Sequence, residues 1–120
     1  MSGEVSLERP AGAPVLVELQ GRVRGQCDEV FAALAERVDV HGQGSFVAES
    51  VSRRAVVQGG YWYRGEYAVE PSGDGALITY AIVNIAPGWR LIGALTGRSA
   101  VRAAPAEFSR LLDELGAAVG

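Results

Sequence analysis

The chain has one cysteine, one histidine and no lysine among its 120 residues. Each scarcity removes a class of function. Cys27 has no second cysteine for an internal disulfide, and one thiolate cannot build a metal cluster. A reducing cytoplasm is the compartment that fits such cysteine usage. His41 stands in a glycine-rich stretch and is not read as an acid–base catalyst. No metal-ligand spacing occurs, and no metal or cofactor is expected. All 11 basic residues are arginine against 14 acidic ones, a net charge of −3. That balance gives no general attraction to nucleic acid or to an anionic membrane. No apolar stretch approaches the roughly 18 residues of a membrane span. The N-terminal residues carry Glu4 and Glu8 without an apolar run and do not read as a signal peptide.

What remains is globular material. The composition is 48% apolar and 21% charged, which suffices for one modest core in one domain. Arginine in place of lysine, with much Ala, Gly and Val, suggests a GC-rich bacterial genome. Residues 1–13 hold Gly, Pro, Ser and charges without periodicity and read as a flexible N-terminal tail. Residues 14–120 form the single domain.

Val15, Val17, Leu19 and Val23 alternate with Glu18, Gln20, Arg22 and Arg24, which predicts a strand with one buried face. After Gly25 the period changes. Cys27, Val30, Phe31, Leu34, Ala35 and Val38 recur at helical spacing, with Asp28 and Glu29 in the first turn. The expected helix spans about Gln26 to Val38, and Val40 to Ser45 is expected as a loop. Phe46–Ser52 and Arg54–Gln58 read as two strands.

Tyr61 to Glu70 is an aromatic strand. Its odd positions carry Tyr61, Tyr63, Gly65, Tyr67 and Val69. Its even positions carry Trp62, Arg64, Glu66, Ala68 and Glu70, and their charges mark the wetter face. Pro71 to Gly75 has turn chemistry. Ala76 to Ala86 is apolar on both faces and is expected to be central. Phe108, Leu111, Leu112, Leu115 and Val119 form one apolar stripe of a C-terminal helix. Pro105 fits that helix's first turn, with a preceding helix ending in a kink there. Hairpin-length connections require antiparallel strands. The result is an α+β grip: a curved antiparallel sheet wrapped around a long C-terminal helix, with one short helix after the first strand.

In that order the pieces resemble the helix-grip superfamily known as SRPBCC or START-like, over about residues 14–119. The resemblance rests on a first strand running directly into Asp28-Glu29-Val30-Phe31-Ala32-Ala33-Leu34. It rests also on Tyr63-Arg64-Gly65-Glu66-Tyr67 before Val69-Glu70-Pro71, on Gly73-Asp74-Gly75 before Thr79-Tyr80, and on the closing helix. Members usually have a second short helix and more strands, whereas this chain has room for about five or six strands. The family includes polyketide cyclases and dehydratases, plant allergen-type carriers and lipid-transfer proteins. The resemblance therefore implies a pocket, and fold analogy does not choose among its uses.

Tyr63, Tyr67, Tyr80 and Trp89 are the pocket candidates, each an apolar body with one polar handle. The alternative is that these rings simply fill a small core. Asn84 shares a strand face with Ile78, Tyr80 and Ile82; a ligand or a backbone group at the strand end would satisfy its amide. Arg64 and Glu66 form either a charged lip or a solvated surface pair. Cys27 falls on the apolar stripe of its helix and reads as a buried, inert thiol. Gly42-Gln43-Gly44 lacks the Gly-Lys-Ser/Thr of a phosphate loop. Asp28-Glu29 and Asp113-Glu114 are adjacent on helices and diverge, so neither pair works as a dyad.

Three functions follow. The first is a cytoplasmic protein that binds an apolar or aromatic small molecule, lipid- or polyketide-like, between sheet and C-terminal helix. The second, implied by the resemblance, is a polyketide cyclase or dehydratase with Arg64, Tyr80 and Asn84 as catalytic candidates. The third is a ligand-free interaction module, a homodimer among the options, with Trp62 exposed. The interior volume separates them: above about 300 Å³ favours binding or catalysis, and a filled interior favours the module.

Overall fold

Antiparallel pairing organises every described strand. The computed structural model describes residues 5–41, 45–59, 62–86 and 90–119, with the side chains of 40, 41 and 90–97 outside that description. The elements are β1 (Val15–Arg24), α1 (Cys27–His41), β2 (Ser45–Glu49), β3 (Arg54–Gly59), β4 (Tyr63–Ser72), β5 (Gly75–Asn84) and α2 (Arg90–Val119). The strands form one antiparallel, curved five-stranded sheet in the order β1-β5-β4-β3-β2. The expected α+β grip is what the chain builds, with α1 after the first strand and α2 packed against the sheet.

The register sorts the side chains into two faces. Leu19 pairs with Tyr80 and Gly21 with Ile78 across β1 and β5, and Tyr67 pairs with Tyr80 and Val69 with Ile78 across β4 and β5. Those residues face the helices. Val30, Leu34, Ile78 and Leu115 are fully buried there, with Phe108 close behind. The predicted stripe of α2 lies on this core, Leu111, Leu112 and Val119 partly buried against it. Gly21 lets α2 pack close on β1, since a Cβ at that position would overlap the Leu112 side chain. Both faces of the central strand β5 are apolar because both are covered, Ile78 and Ile82 being buried on one side and Ala81 and Val83 on the other.

Several boundaries differ from expectation. α1 continues to His41, past the predicted end at Val38. β2 stops at Glu49, not Ser52, because the chain reverses over residues 50–53. There the Ser52 hydroxyl donates to the Glu49 carboxylate at 2.5 Å and Arg53 takes a φ of 54°. Pro71 and Ser72 stay in β4, paired with Ala76 and Gly75, so the turn shrinks to Gly73-Asp74. α2 is one 30-residue helix with Pro105 inside it, not two helices.

The other face of the sheet is covered from the N-terminal side. The segment before β1, expected as a flexible tail, touches the sheet at three points. The Leu7 carbonyl accepts from Arg54 at 2.6 Å, the Arg9 guanidinium meets the Glu66 carboxylate at 2.5 Å, and the Pro14 carbonyl accepts from the Asn84 backbone amide at 3.0 Å. On this face Val56, Ala81 and Val83 are buried, and so is Arg64. No helix among the described residues is long and apolar enough to cross a membrane.

Candidate functional site

The site begins with the alternation of β4. Tyr63, Gly65 and Tyr67 share the inner face, because side chains two apart on a strand point the same way. Gly65 leaves a gap between the two rings. Tyr63 lies back along the strand into that gap, so a Cβ on residue 65 would collide with the Tyr63 hydroxyl. This posture brings the Tyr63 hydroxyl to 2.7 Å from that of Tyr80 on β5. Tyr67 sits directly across from Tyr80, and their rings stack with centroids 4.6 Å apart and planes 18° apart. Phe108 of α2 lies beyond, 5.8 Å from Tyr80 and near-parallel to it. Trp62 meets Tyr63 edge-on at 5.5 Å.

A cavity of about 670 Å³ opens above these tyrosines, between the sheet, the end of α1 and α2. Tyr63, Tyr67 and Tyr80 form its floor beside Val57 and Ile82. α2 packs on β1 and β5 and α1 on β3 and β4, and residues of both helices line the space over the sheet. Leu111 supplies an apolar wall from α2. Where the cavity meets solvent the lining turns charged: Arg37 from α1, and Glu107, Arg110 and Glu114 from α2. Arg37 reaches Glu114 at 3.4 Å and also donates to the Ala33 carbonyl at 3.2 Å.

The electrostatics of the floor follow from its dryness. Burial pushes the phenols of Tyr63, Tyr67 and Tyr80 above the ordinary tyrosine value. For Tyr80 and Tyr67 the neighbouring phenols add to that effect, since ionising one disfavours ionising the next. All three are neutral hydroxyls at physiological pH. They offer hydrogen bonds and no charge.

Of the remaining sequence candidates, Asn84 and Arg64 do not join them. Asn84 is 2% exposed and lies on the inner face opposite Tyr63, but its Oδ1 accepts the Ala86 amide at 3.0 Å. It fastens the end of β5, as the strand-end alternative anticipated. Arg64 lies on the opposite side of the sheet from the tyrosines, since it is one residue out of phase with them. It is neither a pocket lip nor a solvated pair. Its side chain is 1% exposed, with Nε 2.7 Å from Glu66 and Nη1 2.9 Å from Oε1 of the Gln58 side chain. Its Nη2 has no hydrogen-bond partner among the described residues. Trp62 is half-buried against the core, not exposed. Trp89 and the 42–44 loop lie outside the described residues, as does the His41 side chain. Cys27 is half-buried at the start of α1 and packs on the core.

Sequence reasoning missed Gly65 as the residue that lets Tyr63 fold over. The signal was present: a glycine between two tyrosines on one strand face. It also missed the charged rim, because Arg37 and Glu114 are far apart in sequence and meet only when α1 packs on α2.

No family model matches the chain. No curated protein matches it either. Among solved structures, the crystal structure of TTHA0849 from Thermus thermophilus is similar, with a TM-score of 0.58 over 88% of this chain and 97% of that one. The two sequences are 12% identical, so the likeness establishes a shared fold and nothing about activity.

Proposed function

We propose that this chain is a small helix-grip protein of the SRPBCC or START-like kind that binds an apolar or aromatic small molecule. The guest, lipid- or polyketide-like, occupies the space between the sheet and α2. The observation that carries this reading is the cavity of about 670 Å³ with three tyrosines on its floor. Ligand sites commonly enclose about 300–1,000 Å³, and a ligand-free interaction module has no use for such a void. Burial of guest surface against the rings supplies affinity, and the hydroxyls supply orientation.

Binding ranks above catalysis. Of the three catalytic candidates only Tyr80 lines the cavity, while Arg64 is across the sheet and Asn84 is engaged with the backbone. Cyclase or dehydratase chemistry would have to rest on the neutral phenols with a carboxylate of α2, Glu107 or Glu114, as the base, without the Arg64 and Asn84 that the catalytic reading needs. A cytoplasmic location belongs to the same proposal, on the cysteine usage alone.

Titration with Nile red and with a panel of fatty acids and polyketide-like aromatics tests the reading. Saturable dye binding, competed by at least one member, is expected. Failure of every probe to bind saturably would remove the cavity from consideration as a ligand site.

A further inference from the structure

The floor and the rim of the cavity differ in a way that restricts the guest. Every charged residue among the described lining belongs to a helix and sits at the solvent edge: Arg37 and Arg110 against Glu107 and Glu114. Two guanidiniums and two carboxylates cancel, and Arg37 is already paired with Glu114. The rim has no net charge with which to draw in an ion. The floor has hydroxyls and no cation.

A hydroxyl has one hydrogen to give and two lone pairs to offer. The bond between Tyr63 and Tyr80 uses one hydrogen and one lone pair, in whichever direction it runs. The tyrosine cluster therefore keeps hydrogen-bonding capacity for a polar guest atom. That atom must be uncharged. A carboxylate carried to the floor loses its water and meets no positive partner, which burial makes costly. A hydroxyl or carbonyl group loses far less and regains a hydrogen bond.

We infer that the cavity selects uncharged amphipaths, alcohols or ketones on an apolar body, and discriminates against carboxylates, with the polar atom bonded at the Tyr63–Tyr80 pair. This rests on the binding reading above and narrows it. The two can fail separately.

The test is competition against bound Nile red at pH 7.5 with decan-2-one, decanoate and 2-methyldec-1-ene, the last being the hydrocarbon analogue of the ketone. The ketone is expected to compete at least about tenfold more tightly than decanoate, a difference of about 1.4 kcal/mol. In Tyr80→Phe and in Tyr63→Phe the ketone is expected to weaken about fivefold relative to the alkene, the size of one neutral hydrogen bond. Comparing two ligands within one variant cancels general loosening of the cavity. If Nile red itself does not bind, both readings fall. If the dye binds and decanoate matches or exceeds the ketone, the cavity remains a binding site and the selectivity for uncharged guests is wrong. An unchanged ketone-to-alkene ratio in both variants removes the tyrosine pair from recognition.

Discussion

Glu66 is the partner on which a buried cation depends, and removing it should be far more damaging than removing the cation. Arg64 is 1% exposed, and among described residues its guanidinium is held by Glu66 and Gln58 alone. Glu66→Ala leaves that charge buried with one carbonyl oxygen. Breaking a buried ion pair from one side costs about 3–5 kcal/mol. The Glu66 side chain is 16% exposed, so some water reaches the gap. The lower end, about 3 kcal/mol, is the expected loss. At roughly 4 °C per kcal/mol that lowers Tm by about 12 °C. Arg64→Met behaves differently. It keeps an apolar stem in the same volume, and it removes both the desolvated charge and the unpartnered Nη2. Glu66 retains Arg9. The net change should stay within about 1 kcal/mol of the parent. Adding Glu66→Ala to Arg64→Met should then cost only the half-exposed bridge to Arg9, about 1 kcal/mol or less. Urea unfolding of the four proteins, with m unchanged, measures the coupling. If Glu66→Ala is equally costly with and without Arg64, the carboxylate is not serving the buried guanidinium and the account of this face is wrong.

Three further outcomes are expected. Burial alone would raise the Glu66 carboxyl, but Arg9 and Arg64 outweigh it and hold it below the ordinary carboxylate value. Its contribution is therefore present above the unfolded-state value near about 4.3 and lost as pH falls through the lower folded one. Urea midpoints between pH 6 and 2 should show this loss in the parent and not in Arg64→Met/Glu66→Ala. The raised phenols run the other way: their contribution is intact below about pH 10 and disappears as pH climbs toward the folded values. Absorbance at 295 nm should show Tyr63, Tyr67 and Tyr80 ionising together with alkaline unfolding; ordinary titration of all four tyrosines near pH 10 would contradict the dry floor. Gly21→Val should detach α2 from β1 by driving a side chain into Leu112, at about 1–3 kcal/mol, and a parent-like Tm would show that the contact is not tight.

Much of the grip was legible because its signals are periodic. The alternation from Val17 to Arg24 and the stripe from Phe108 to Val119 each mark a buried face that the structure reproduces, whereas Val15, expected on the same face, is exposed because the register shifts between it and Val17. Parity along Tyr63–Tyr67 placed both rings on one side, and the same parity put Arg64 on the other. What parity could not show is that the second side is also dry. The N-terminal segment covers it partly through the carbonyl of Leu7, and a carbonyl belongs to every residue, so composition carries no trace of the role. Pro105 misled for a related reason. Proline is expected at a helix start, yet here the helix runs through it, with Ala104 and Phe108 buried on either side.

That proline gives α2 a seam. Lacking an amide hydrogen, Pro105 leaves the carbonyl one turn earlier, on Val101, without its usual helical donor. Ala100 lines the cavity on one side of the break, and Glu107 and Leu111 line it on the other. Bending the rod at this level sacrifices no bond between Val101 and Pro105, because none exists to lose. A bend at this level would shift Ala100 against Glu107 and Leu111, moving one part of the cavity wall relative to the other.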